Sequence, residues 1–241
     1  DAVIQKVLER IDSDGERFWR LADFNGLPFG AVAKALSRLT KAGHIQRMSK
    51  GIYYKPRQTV FGQSLPKLSG LQQLIEKSVF PAGRAAANLL GLSTQVAIKN
   101  EVSTTALSLP RKLLGQSTLV HRMRPATWTK LNRQNTALLE LLRSRGLTSE
   151  MSELETIDRV LEIVSEPGCF EALVDVAASE PPRVRAMLGA LGQQLGKSQE
   201  LLEGLRATLN PLSKFDFGLF THLKHAKQWQ ARVGGQIYET L

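Results

Sequence analysis

Val3, Val7, Leu8 and Ile11 recur at helical spacing through residues 2–11, and the polar run Asp12-Ser13-Asp14-Gly15 ends that pattern. Phe18, Trp19 and Arg20 make a short β-prone piece, and a brief helix through Leu21–Phe24 breaks at Asn25-Gly26. Pro28 stands where a first helical turn tolerates a missing N–H. Over 29–42 the helical period returns: Val32, Leu36 and Leu39 share a stripe with Ala35 beside it, and Gly43 supplies the C-terminal stop. Residues 44–48 and 52–55 read as short strands joined by Ser49-Lys50-Gly51, with Pro56 closing the unit. Tyr53 and Tyr54 are adjacent, so the alternation of a strand predicts one ring inward and one outward.

The pattern then changes. Residues 65–78 and 82–92 predict helices, whereas 99–109 and 117–123 are rich in Val, Thr and Ser with partial alternation and predict strands. A leucine-rich helix is expected over 133–145. Beyond Ser149 the periodicity is helical: 152–165, 169–178, 182–195 and 198–209, separated by Glu166-Pro167-Gly168, Glu180-Pro181-Pro182 and Asn210-Pro211. Such a succession of helices on short turns predicts an antiparallel stack. The stretch after Trp229 reads as loosely ordered.

The order helix, helix, turn, helix, hairpin over 1–56 is that of a winged helix-turn-helix, and it makes the two faces of helix 29–42 informative. Opposite the apolar stripe lie Gly30, Lys34, Ser37 and Lys41, with Arg38 at the shoulder. A small residue near the helix N-terminus permits approach to base edges, and the lysines can reach bases or phosphates. On the hairpin, Arg47, Ser49 and Lys50 are placed to reach flanking backbone, and Gly51 permits the sharp turn. Taken alone, a helix with one apolar and one lysine-bearing face is most often a solvated surface helix; the complete element order is what favours a DNA reader.

Charge sharpens this picture. The net charge of the 241 residues is +10. Residues 1–56 hold ten Lys and Arg against six Asp and Glu, 57–149 hold thirteen against three, and 150–241 hold nine against thirteen. A basic front and an acidic rear suggest one polyanion-facing side and one built for something else. In the basic middle, Arg111, Lys112, Arg122 and Arg124 either extend a polyanion footprint or guard an edge strand as solvated charges.

Enzymatic signals are poor. There is no Walker-type phosphate loop, no His-Glu-x-x-His and no Cys-x-x-Cys. A nucleotidyltransferase needs a Gly-Ser followed by paired aspartates for two metals, yet Gly62-Gln63-Ser64 has no such pair after it and 57–149 contains no Asp. His222 and His225 are expected to share a helical face as solvated side chains, since a structural zinc needs four ligands. Cys169, the single cysteine, excludes an internal disulfide and reads as a buried structural thiol, although its place near a helix start could lower its pKa. No cofactor, metal or catalytic residue is expected. Charged residues interrupt the opening DAVIQKVLERID, which does not read as a secretory signal, and no apolar run is long enough to span a bilayer. A cytoplasmic protein without membrane contact is the expectation.

Three runs, AVAKALSRLTKAGHIQRMSKGIYYKP, AGRAAANLLGLSTQV and LNPLSKFDFG, resemble the AbiEi-type antitoxins of bacterial abortive-infection (type IV) toxin–antitoxin systems. The first looks like their N-terminal winged helix; the other two look like members with a longer C-terminal region. Asn25-Gly26-Leu27-Pro28 departs from the usual turn before the third helix. The resemblance implies a transcriptional repressor of its own operon that binds promoter inverted repeats and counteracts a nucleotidyltransferase-like toxin, with direct contact left open. It assigns DNA reading to helix 29–42 and wing 47–51. The fold expected is α+β and mainly helical: a winged helix-turn-helix over 1–56, a basic mixed α/β region over 57–149 and an all-helical region over 150–241. The last two together (57–241) form one antitoxin domain. The alternative is a protein-interaction module that neutralises a partner directly, with the winged helix structural.

Overall fold

The structure is a computed structural model that describes residues 2–14, 17–49, 51–59, 62–63, 78–95, 101–106, 109 and 118–232. The chain divides into two compact units, Asp1–Ser78 with Ala106–Gln116, and Val79–Thr105 with Ser117–Leu241. The fold is mixed α+β, with eight α-helices and small sheets among the described residues. No helix among them is long and apolar enough to cross a membrane.

In the first unit the leading apolar pattern becomes α1 (Ala2–Ser13), with Val7 and Ile11 buried. It is followed by β1 (Phe18–Arg20), a 3₁₀ turn (Leu21–Phe24) and α2 (Phe29–Lys41). Next come β2 (Gln46–Ser49) and β3 (Ile52–Tyr54). The three strands form an antiparallel sheet in the order β1-β3-β2, so the β-prone piece at Phe18 caps the hairpin as a third strand. Trp19, Phe24, Val32, Leu36, Ile45 and Tyr53 belong to one core, in which Trp19 stacks on Phe24 at 5.3 Å between centroids. A two-stranded ribbon, β4 (Gln58–Thr59) with β5 (Gly62–Gln63), follows.

One expectation fails at β3. Tyr53 and Tyr54 are both buried, at 7% and 2% exposure. Because β3 is the central strand, Tyr54 pairs in register with Phe18 and meets its ring at 5.5 Å, while Tyr53 joins the helical core on the other face. All three residues of β3 are buried, so this strand is covered on both faces, and alternation then carries no inside–outside signal.

The second unit opens with β6 (Val79–Pro81) and α3 (Gly83–Leu89), then β7 (Glu101–Thr104) and β8 (Leu119–His121). β6 pairs antiparallel with β7, and β7 parallel with β8, which makes a three-stranded sheet in the order β6-β7-β8. Both strands are shorter than expected, and the helix expected over 65–78 lies, apart from Ser78, outside the described residues.

The helical rear follows the periodicity: α4 (Arg133–Arg143), α5 (Glu153–Ser165), α6 (Cys169–Ala177), α7 (Pro182–Gln194) and α8 (Gln199–Ala207). Ser152 caps α5 through a reciprocal box with Glu155, which holds that carboxyl below its usual range, and Pro182 opens α7 where no N–H is required. In α7 every residue from Ala186 to Gly192 is buried, the mark of a helix surrounded by others. Gly189 has no side chain because the Trp229 ring fills the space: a Cβ there would lie 2.1 Å from it. Within the last stretch, residues 230–232 are described, and Ala231 bridges to Phe215.

Candidate nucleic-acid interface

Helix α2 forms because four apolar positions, Val32, Ala35, Leu36 and Leu39, fall on one stripe and are at most 4% exposed. Its start is set by Pro28, which stands at the N-cap and offers no side-chain acceptor. Its end is set by Gly43, at φ +76°, where His44 N–H donates to the Leu39 carbonyl at 3.0 Å and Gly43 N–H to that of Thr40 at 3.1 Å. This paired closure ties off the last carbonyls and needs a left-handed residue. The departure at Asn25-Gly26-Leu27-Pro28 therefore leaves the helix start at Phe29.

With the apolar stripe fixed, the opposite side is fixed too. Gly30, Lys34, Ser37, Arg38 and Lys41 are all exposed on α2. The helix therefore carries three cationic side chains within eight residues, with no acidic residue along it. Phe29, which the sequence reading did not single out as functional, is 70% exposed at its first position. The pattern gave no signal for this exposure, because Phe29 stands three residues before Val32 and seven before Leu36, on the same stripe.

On the hairpin, Arg47 is exposed, and its Nε donates to the Ser49 carbonyl at 3.4 Å. Ser49 is half-buried, and Lys50 lies outside the described residues. The register shifts between Arg47 and Ser49, so Met48 is an extra residue on β2, and Gly51 turns the chain at φ +81°. Such a bulge twists a hairpin locally, which pattern reading missed because one added residue leaves composition unchanged.

The outlying basic residues separate. Arg111 and Lys112 lie outside the described residues, and Arg122 is exposed. Arg124 is paired within its own unit: its Nε and Nη2 donate to Glu140 at 2.6 and 3.1 Å, and the two side chains are 16% and 7% exposed. A planar fork meeting a buried carboxylate satisfies its own partner first. The partner is distant in sequence, which is why the sequence left Arg124 open.

Nor do His222 and His225 share a helical face. The 3₁₀ turn Gly218–His222 stops at the first of them, which lies 3.2 Å from Glu153, while His225 contacts Gln228 at 3.2 Å. Among the described residues no group of three or more His, Cys, Asp or Glu is arranged to hold a metal ion. A pair the sequence did not suggest is His121 with Glu101, 2.5 Å apart on neighbouring parallel strands.

Cys169 opens α6 beside a cleft of about 300 Å³ lined by Lys130, Asn132, Asn135 and Glu166. Its thiol is 6% exposed and donates to Asn135 Oδ1 at 3.2 Å. Burial, reinforced by Glu166 and Glu171 and only partly offset by Lys197, pushes its pKa up to about 11. Desolvation thus overrides the helix start. At pH 8 labelling by a thiol reagent is expected to be about two orders of magnitude slower than for a free cysteine, since only thiolate reacts. Labelling at the free-cysteine rate in the folded chain would contradict the buried assignment.

Residues 21–122 match DUF6088, a family of unknown function. No curated protein matches the chain. Among solved structures, the crystal structure of the RV2827C protein from Mycobacterium tuberculosis is similar, at 15% sequence identity over 90% of this chain and 86% of that one, with a TM-score of 0.41.

Proposed function

We propose that residues 1–56 are a winged helix-turn-helix DNA-binding domain, with α2 as the reading helix and the β2–β3 hairpin as the wing. In this role the chain is a cytoplasmic transcriptional repressor of its own operon and the antitoxin of a type IV-like toxin–antitoxin pair. It binds promoter inverted repeats and counteracts a nucleotidyltransferase-like toxin. The observation that carries the DNA-binding assignment is the exposed set Lys34, Ser37, Arg38 and Lys41, set opposite the buried Val32, Leu36 and Leu39. Charge agrees: the first unit holds fifteen Lys and Arg against seven Asp and Glu, and the second seventeen against fifteen, so the first carries +8 of the +10. Phosphate contacts supply most of the affinity for a duplex, and they require such an excess.

The test is titration of the full chain with the duplex upstream of its own gene and with a scrambled duplex of equal length. Binding at least about a thousandfold tighter to the upstream duplex is expected of a specific repressor. Equal affinity for both would contradict it.

A second reading draws on the other unit. Leu147, Met151 and Leu154 are 71%, 41% and 65% exposed around the turn between α4 and α5, beside exposed Glu150 and Glu153. Exposed apolar side chains close in sequence to exposed acidic ones suit a protein partner. On this reading the chain neutralises the toxin by touching it, and the winged helix is structural.

A further inference from the structure

We propose that the cleft between the residues leading into α4 and those leading into α6 binds a free α-amino acid. Lys130 and Asn135 take its carboxylate, and Glu166 takes its ammonium group.

The cleft holds about 300 Å³, the lower end of the range for small-molecule sites. Asn135 and Cys169 are its deepest lining residues, at 4% and 6% exposure, whereas Lys130 and Glu166 are exposed and stand at its rim. Asn135 carries a donor that the protein leaves unused. Its Oδ1 accepts from the Cys169 thiol at 3.2 Å and its backbone N–H donates to Asn132, but Nδ2 has no partner among the described residues. With the thiol donating, the amide is held oxygen toward Cys169 and nitrogen free. A buried donor without an acceptor is costly, so a ligand oxygen that reaches it gains what the fold leaves unsatisfied.

The charges on the rim decide which small molecule fits. Lys130 has no ion pair or hydrogen bond among the described residues, so it is not neutralised by Glu166 across the cleft. Glu166 accepts from Gln134 Nε2 at 3.2 and 3.1 Å, one contact to each oxygen, which leaves each oxygen a further lone pair. A simple anion meets Glu166 as a like charge, and a simple cation meets Lys130 as one; a zwitterion meets an opposite charge at both. Leu131, Pro167 and Ala172 complete the lining and offer an aliphatic side chain an apolar surface.

The experiment titrates the full chain with each standard L-amino acid by calorimetry. The tightest binder is then compared with its amide, which lacks the carboxylate, and with its des-amino acid, which lacks the ammonium group. At least one aliphatic member is expected to bind with Kd below about 1 mM, and each analogue about tenfold more weakly, the worth of one charged hydrogen bond. Glu166→Gln and Lys130→Met, both at exposed positions outside the core, should each cost a similar factor, and E166Q should no longer discriminate against the des-amino acid. In the parent chain the bound amino acid should slow labelling of Cys169 in proportion to occupancy, which places it in this cleft. Absence of binding up to about 10 mM, binding that E166Q and K130M leave unchanged, or equal affinity for both analogues would each overturn the proposal. DNA reading by α2 belongs to the other unit and stands or falls separately.

Discussion

Replacing Glu180 with Ala is expected to destabilise the second unit by about 3–5 kcal/mol, the usual cost of removing one partner from a buried ion pair. Its side chain is wholly buried, with Oε1 accepting from Trp128 Nε1 at 2.6 Å and Oε2 from Arg143 Nε at 2.7 Å. Trp128 is itself 0% exposed, and the Arg143 guanidinium stands over its ring at 5.3 Å from the centroid. Deleting the carboxylate therefore strands two donors at once, the fully buried Trp128 indole N–H and the charged Arg143 guanidinium, which is 18% exposed. Glu180→Gln keeps an acceptor for the indole but loses the charge opposite Arg143, so a smaller cost is expected. Urea unfolding of the full chain, followed by Trp fluorescence, measures both. A loss below about 1 kcal/mol for E180A would mean that solvent screens this pair as it does a surface one. DNA affinity should be unchanged in either variant at a temperature where both are folded, since Glu180 belongs to the unit without α2.

Glu180 also shows where sequence stops being informative. It precedes two prolines and reads as part of a turn, which the local geometry bears out: its N–H closes a turn on Ala177 at 2.9 Å. The direction of the side chain is decided by Trp128, 52 residues away. The same holds for Arg124 with Glu140 and for Tyr54 with Phe18, partners that a one-dimensional pattern cannot supply. By contrast, the faces of α2 were legible because the apolar repeat and the helix period coincide over 13 residues, and Gly43 marks the stop through a backbone requirement that is local. The helices after Ser149 were legible for the same reason, with prolines and glycines at their joins. Strand lengths were not, because 99–109 and 117–123 have β-prone composition well beyond the residues that find a ladder partner. The candidate interface was thus readable in its cations, which a helical wheel places, but not in Met48, whose role as an extra residue appears only when two strands are paired.

Lys34→Ala with Lys41→Ala is expected to weaken binding to the upstream duplex by about 60-fold at 0.1 M salt. Each phosphate neutralised by a lysine releases about 0.9 of a counterion, so each contact contributes roughly eightfold at that concentration and two multiply. The slope of log affinity against log salt should accordingly flatten by about 1.8 between 50 and 200 mM, while affinity extrapolated to 1 M salt stays nearly the same. That last feature separates loss of phosphate contacts from loss of folding or of base readout, both of which lower affinity at every salt concentration. Both lysines are exposed and neither belongs to the core of the first unit, so their removal leaves Val32, Leu36 and Leu39 packed as before. An unchanged slope would mean that α2 does not face the duplex, however tightly the chain binds. On the proposed antitoxin role, protection against a partner toxin gives a second readout: if the double variant still protects, antagonism runs through another surface, and the exposed Leu147, Met151 and Leu154 of the second unit become the place to look for it.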